Sequence, residues 1–73
     1  MSVKVISEVV GSMWKCECAP GQAVDEGDVL FIIESMKMEI PVESTHAGKV
    51  SEVLINEGEP VSEGQVLAIV NPA

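Results

Sequence analysis

Apolar residues along the chain fall in short runs, each closed by Gly, Pro, Asp or Asn. Val, Ile and Leu dominate these runs, which read as β-strands over about 3–8, 13–18, 29–34, 38–43, 49–55 and 66–70. Helix has little room, because hardly any stretch of ten residues outside 28–40 is free of Gly and Pro. Within 28–40, Val29, Ile32, Ile33 and Met36 have helix-like spacing, but the Val, Phe and Ile content of 29–33 favours strand.

The runs repeat. Residues 21–33 read GQAVDEGDVLFII and residues 58–70 read GEPVSEGQVLAIV, an offset of 37. Extended upstream without a gap, 11–33 aligns with 48–70. Gly11, Gly21, Val24, Glu26, Gly27, Val29, Leu30 and Ile32 are identical to their partners. Pro20-Gly21 suits the centre of a type II turn, and the polar turns 25–28 and 62–65 each place a Gly where a left-handed residue is wanted. The expectation is an all-β sandwich or flattened barrel with approximate two-fold symmetry, since neither half can bury its apolar face alone.

The repeat isolates one segment. Glu34-Ser35-Met36-Lys37-Met38-Glu39-Ile40 follows the first unit, and its counterpart is Asn71-Pro72-Ala73, where the sequence stops. Strands lead into and out of this segment, so the chain must turn near Met36-Lys37. Two-residue hairpin turns favour Asn-Gly or Gly-containing pairs, because both central residues of a type I′ turn need positive φ. Met-Lys is a poor choice: either the turn is not tight, or it is strained.

Composition narrows the classes. The 73 residues form one domain, 1–73, with 4 Lys+Arg against 12 Asp+Glu and a net charge of −8. The cations are four scattered lysines, Lys4, Lys15, Lys37 and Lys49, which argues against nucleic-acid binding and against attraction to anionic membranes. No secretory signal is evident, and a cytoplasmic protein with reduced thiols is expected. One His and two Cys cannot fill a zinc site, and no nucleophile–base set is present, so an enzyme is not expected. Cys16 and Cys18, two apart on a strand, align with Val53 and Ile55 and are expected to be buried, unbridged core residues of one strand. Trp14 aligns with Ser51, which predicts an outward or rim position, with partner contact and simple packing both open. His46 reads as a solvated turn residue, and Glu34 and Glu39 as solvated residues bracketing the turn.

The segment ESMKMEI, between two glycine-bounded repeats, resembles the attachment motif of the biotinyl/lipoyl attachment domains, and the resemblance covers the whole chain. It implies a flattened barrel of two four-stranded antiparallel sheets with the modified lysine at an exposed hairpin tip. On that resemblance Lys37 is the residue covalently biotinylated, and Met36 and Met38 are its flanking recognition residues. The domain would carry carboxybiotin between a biotin carboxylase and a carboxyltransferase, after modification by a biotin protein ligase. It would act as a monomeric, non-catalytic carrier that binds neither nucleic acid nor membrane. Lipoyl domains more often have Asp-Lys here, so lipoate on Lys37 is the alternative, followed by an unmodified β-sandwich interaction module. The chain departs from the usual pattern in having Ser35 where Ala is common. Ser7-Glu8-Val9-Val10 also stands where many members have a Pro-rich segment, and the first half carries no inserted loop.

Overall fold

A computed structural model describes residues 2–72; Met1 and Ala73, the ends of the expected 1–73 domain, lie outside the described residues. The described chain is all β. Its strands are β1 (Val3–Ile6), β2 (Gly11–Cys16), β3 (Ala23–Val24), β4 (Val29–Ser35), β5 (Met38–Glu43), β6 (Gly48–Val53), β7 (Pro60–Val61) and β8 (Val66–Pro72). They form two four-stranded antiparallel sheets, in the orders β1-β8-β6-β3 and β5-β4-β2-β7. The expected two-sheet all-β architecture is therefore observed, and 28–40 is a hairpin rather than a helix.

The offset of 37 relates the strands residue for residue. It carries β2 onto β6, β3 onto β7 and β4 onto β8, with identical bounds. It also carries Val3–Ile6 onto positions 40–43 of β5. The inner faces interleave in a hydrocarbon core of Met13, Val24, Leu30, Phe31 and Ile33 and their counterparts Val50, Val61, Leu67, Ala68 and Val70. One pair is unequal: Phe31 stands in the first half where Ala68 stands in the second, and both are fully buried.

Two strands start earlier than propensity suggests. β2 and β6 begin at Gly11 and Gly48, because only a residue without Cβ fits there. A Cβ on Gly11 would run into the Glu34 carbonyl, and one on Gly48 into the Asn71 carbonyl. The strand expected over 3–8 stops at Ile6 for a different reason. Buried Ser7 donates its hydroxyl to the Val9 carbonyl (2.7 Å) and accepts the Val9 N–H (3.2 Å), bending the chain. Its repeat mate Ser44 does the same at His46 (2.6 and 3.4 Å). The exposed His46 ring lies 2.9 Å from the Thr45 hydroxyl, in the turn where it was expected.

The thiol expectation needs correction. β2 ends at Cys16, so Cys18 lies beyond the strand, and Cys16 is only half-buried while Cys18 is buried. One further backbone bond, Glu17 N–H to the Leu30 carbonyl (2.8 Å), guides the chain inward so that Cys18 still reaches the core. Both thiols are free, as expected. Burial is the main reason that both thiols titrate above the ordinary 9.0, Cys18 at about 11, which makes them poor nucleophiles.

Three of the four sheet edges are protected from adding foreign strands. β3 and β7 are two residues long, and β5 carries Pro41 between exposed Glu39 and Glu43.

Candidate functional site: the Met36-Lys37 hairpin

β4 and β5 pair from Val29↔Glu43 up to Ser35↔Met38, leaving Met36 and Lys37 as a two-residue turn. Both have positive φ, 52° and 64°, the mark of type I′ geometry. The tight-turn and strained-turn readings thus prove to be one: the turn is tight and two ordinary side chains occupy left-handed backbone. Among the described residues these are the only non-glycine positive φ values. Each such residue costs roughly 1–2 kcal/mol, so the segment does not sit here for its own stability.

The surrounding structure imposes that conformation. Ile33, fully buried, pairs with Ile40 on one side and Met13 on the other, which fixes the register three residues before Met36. Glu34 is held between Ser12 and Glu39, with its carbonyl packed against Gly11. Ser35 donates its hydroxyl to the Val10 carbonyl at 2.7 Å, tying the β1–β2 loop to the base of the turn. The sequence marks Ser35 only as a departure from the more usual Ala and carries no signal of this bond, whose acceptor is a backbone carbonyl 25 residues away.

The tip is open to solvent. Met36 is 92 % exposed, Met38 is 65 % exposed, and Lys37 is exposed between them. Two bare methionines at a turn are unusual in a domain whose other described methionine, Met13, is buried. Glu34 and Glu39 are exposed and directly opposite each other, one rung behind the Ser35↔Met38 pair. Like charges so placed oppose pairing by roughly 0.2–1 kcal/mol, a second local cost at the same place. The structure therefore brings together Lys37, Met36, Met38, Glu34 and Glu39. Cys16, Cys18 and His46 take no part in this hairpin.

The arrangement suits presentation of an amine. The recess of about 480 Å³ between edge strands β1 and β5 is lined by Lys4, Ile6, Ile40 and Val42 among others, and Lys37 is not part of it. Among the described residues no three His, Cys, Asp or Glu side chains cluster as a metal site, and no helix is long and apolar enough to cross a membrane. A group joined to Lys37 Nζ would stand clear of the protein on the lysine stem.

Known proteins match the chain in both sequence and structure. Residues 1–70 match the biotin/lipoyl domain family described as "Biotin-requiring enzyme". A biotinylated protein TB7.3 homolog of Mycobacterium leprae is 38 % identical over 71 residues, covering 97 % of this chain and all of that protein. A biotin/lipoyl attachment protein of Bacillus subtilis is 42 % identical over 60 residues, covering 82 % of each. The crystal structure of Kluyveromyces lactis urea carboxylase contains a region that superposes with a TM-score of 0.92 at 37 % identity, covering 97 % of this chain and 6 % of that one.

Proposed function

The chain belongs to the biotin/lipoyl attachment family, whose kinship supports a biotin carrier function with covalently held biotin, and on that premise we propose that Lys37 is the attachment residue. The observation that carries this reading is the Met36-Lys37 turn, where two non-glycine residues accept left-handed backbone to hold an exposed amine at a hairpin tip. Strain that persists in a well-packed fold points to use.

Each residue of the turn has a task. Lys37 Nζ attacks the acyl carbon of an activated biotinyl-adenylate held by a biotin protein ligase, the adenylate leaves, and a stable amide forms. Met36 and Met38 offer the ligase apolar contacts on either side of the amine. Ser35 and Gly11 position the turn from behind. Acyl activation and removal of the amine proton belong to the ligase, so this chain needs no base or metal of its own. Biotin, once joined, supplies the CO2-carrying chemistry. The chain then acts as a non-catalytic, monomeric carrier between a biotin carboxylase and a carboxyltransferase in the cytoplasm.

The test compares wild type with Lys37→Arg, which keeps the charge and the backbone. Each is incubated with biotin ligase, ATP and biotin, then read by avidin blot and intact mass. Wild type gains one biotinyl group, and its formal charge falls from −8 to −9 as one ammonium becomes an amide. Lys37→Arg gains none and keeps its melting temperature. Labelling that survives in the variant moves the site to another lysine. A wild type that refuses biotin and accepts lipoate from a lipoyl ligase replaces biotin with lipoate.

A further inference from the structure

Sulfur is distributed unevenly over the described chain. Met13 is 1 % exposed in the core, Cys18 is buried and Cys16 is half-buried. Met36 and Met38 are 92 % and 65 % exposed, on either side of Lys37. A thioether is a soft, polarizable group open to oxidation by a peroxide. Thiols compete only as thiolates, and burial makes both cysteines titrate above the ordinary 9.0, so at neutral pH they stay protonated. Trp14, 43 % exposed at the rim as its alignment with Ser51 predicts, has no sulfur lone pair to offer.

Neither exposed thioether belongs to the core formed by the described residues. The ladder that ends at Ser35↔Met38 is set from behind, by buried Ile33 and by the Ser35 hydroxyl 2.7 Å from the Val10 carbonyl. An oxygen added to either sulfur therefore stands in solvent and leaves the packing intact. It changes the surface, because a flexible apolar side chain becomes polar and chiral. A protein that presses apolar groups against both sides of Lys37 would then bury an S=O oxygen without a partner, and that weakens the contact.

We propose that Met36 and Met38 form a reversible oxidation site, at which a peroxide switches off biotin attachment to Lys37. The proposal rests on the carrier reading above. A sulfur lone pair takes one oxygen of hydrogen peroxide: the S–O bond forms, the O–O bond breaks, the thioether is oxidised to a sulfoxide and the peroxide is reduced to water. A dithiol-dependent sulfoxide reductase reverses the step, the oxygen leaving as water and the dithiol becoming a disulfide. The chain thereby takes biotin only while its tip is reduced.

Unbiotinylated protein is treated briefly with dilute hydrogen peroxide at neutral pH and freed of peroxide before biotin ligase, ATP and biotin are added. Cleavage after Lys4, Lys15 and Lys37 puts Met1, Met13, Met36 and Met38 each in its own peptide, so mass mapping places every oxygen. Met36 and Met38 gain oxygen ahead of Met13 and both thiols, and the melting temperature holds. The biotinylation rate falls at least about 10-fold and returns after treatment with methionine sulfoxide reductase and a dithiol. Met36→Leu with Met38→Leu, whatever its own rate, is not slowed by the same peroxide treatment. Oxidation that reaches Met13 or the thiols first overturns the proposal. So does a chain oxidised at Met36 and Met38 that is biotinylated at the untreated rate, and so does slowing of the leucine variant. An untreated wild type that takes no biotin is the separate failure of the carrier reading and removes the switch with it.

Discussion

At one pole of the molecule β4 turns into β5 through Met36 and Lys37; at the other, β8 runs out beside the start of β1. The rungs correspond: Ile33↔Ile40 at the first pole is Val70↔Val3 at the second, and Ile32↔Pro41 is Ile69↔Lys4. The second pole holds its rungs with no turn between the strands. The turn at the first pole is therefore not what makes the ladder, and its residues are free to serve another purpose. This explains how a strained pair and two facing carboxylates survive in a domain of 73 residues with a thin core.

Exchanging features between the halves tests how far the equivalence goes. The largest effect is expected at the unequal core pair. Phe31→Ala should cost about 3–5 kcal/mol and Ala68→Phe about 1–3 kcal/mol. The double exchange restores total core volume and should recover part of the loss. Urea unfolding of the three variants measures this, and strictly additive losses would show that the two sites do not share space.

Next come the two glycines of close approach. Gly48→Ala meets backbone atoms of Asn71 and Pro72, whereas Gly11→Ala meets the Glu34 backbone and the Ile33 side chain, which has some freedom to move. Both should destabilise, by about 1–3 kcal/mol, with Gly48→Ala the worse. A reversed order in thermal melts would mean that the Lys37 pole is the stiffer of the two.

The tip should respond in the opposite direction. Met36→Asn with Lys37→Gly supplies the residues a type I′ turn prefers and should stabilise by roughly 1–2 kcal/mol, while removing the amine. No gain in urea midpoint would indicate that the turn is unstrained.

The smallest effect concerns the thiols, which the second half replaces with Val53 and Ile55. Burial raises both thiol pKa values, Cys18 to about 11, so the folded state keeps them neutral where the unfolded chain ionises them from the ordinary 9.0. Their stabilising contribution is complete below about pH 9 and is lost as pH rises through about 11. Comparing melting temperatures of wild type and the Cys16→Val, Cys18→Val double variant over that range isolates the effect. The wild type should lose more stability.

Much of this was legible in the sequence because strand periodicity and an ungapped repeat constrain each other. The runs at 29–34 and 38–43 match β4 and β5 within one residue. Three features were not legible. Gly11 and Gly48 begin strands although glycine has poor strand propensity, because the reason is a carbonyl from a strand distant in sequence. The short β3 and β7 lack an apolar run and exist only through pairing. Ser7 is a hidden break in the strand expected over 3–8, and its repeat mate Ser44, 37 residues on, makes the same bend just after β5. At the site, Lys37 and its neighbours were found by motif, while their positive φ is a property of the two-residue gap between rungs that propensity argues against.

The Val3↔Val70 rung also has a mechanical consequence. Both ends of the described chain leave from the same end of one antiparallel ladder, away from Lys37. Force applied between those ends loads that ladder in peeling mode, opening Val3↔Val70 first and then Lys4↔Ile69 and Val5↔Ala68 in turn, instead of shearing all rungs at once. The Lys37 hairpin lies outside that line of load, so its turn stays set while that ladder yields.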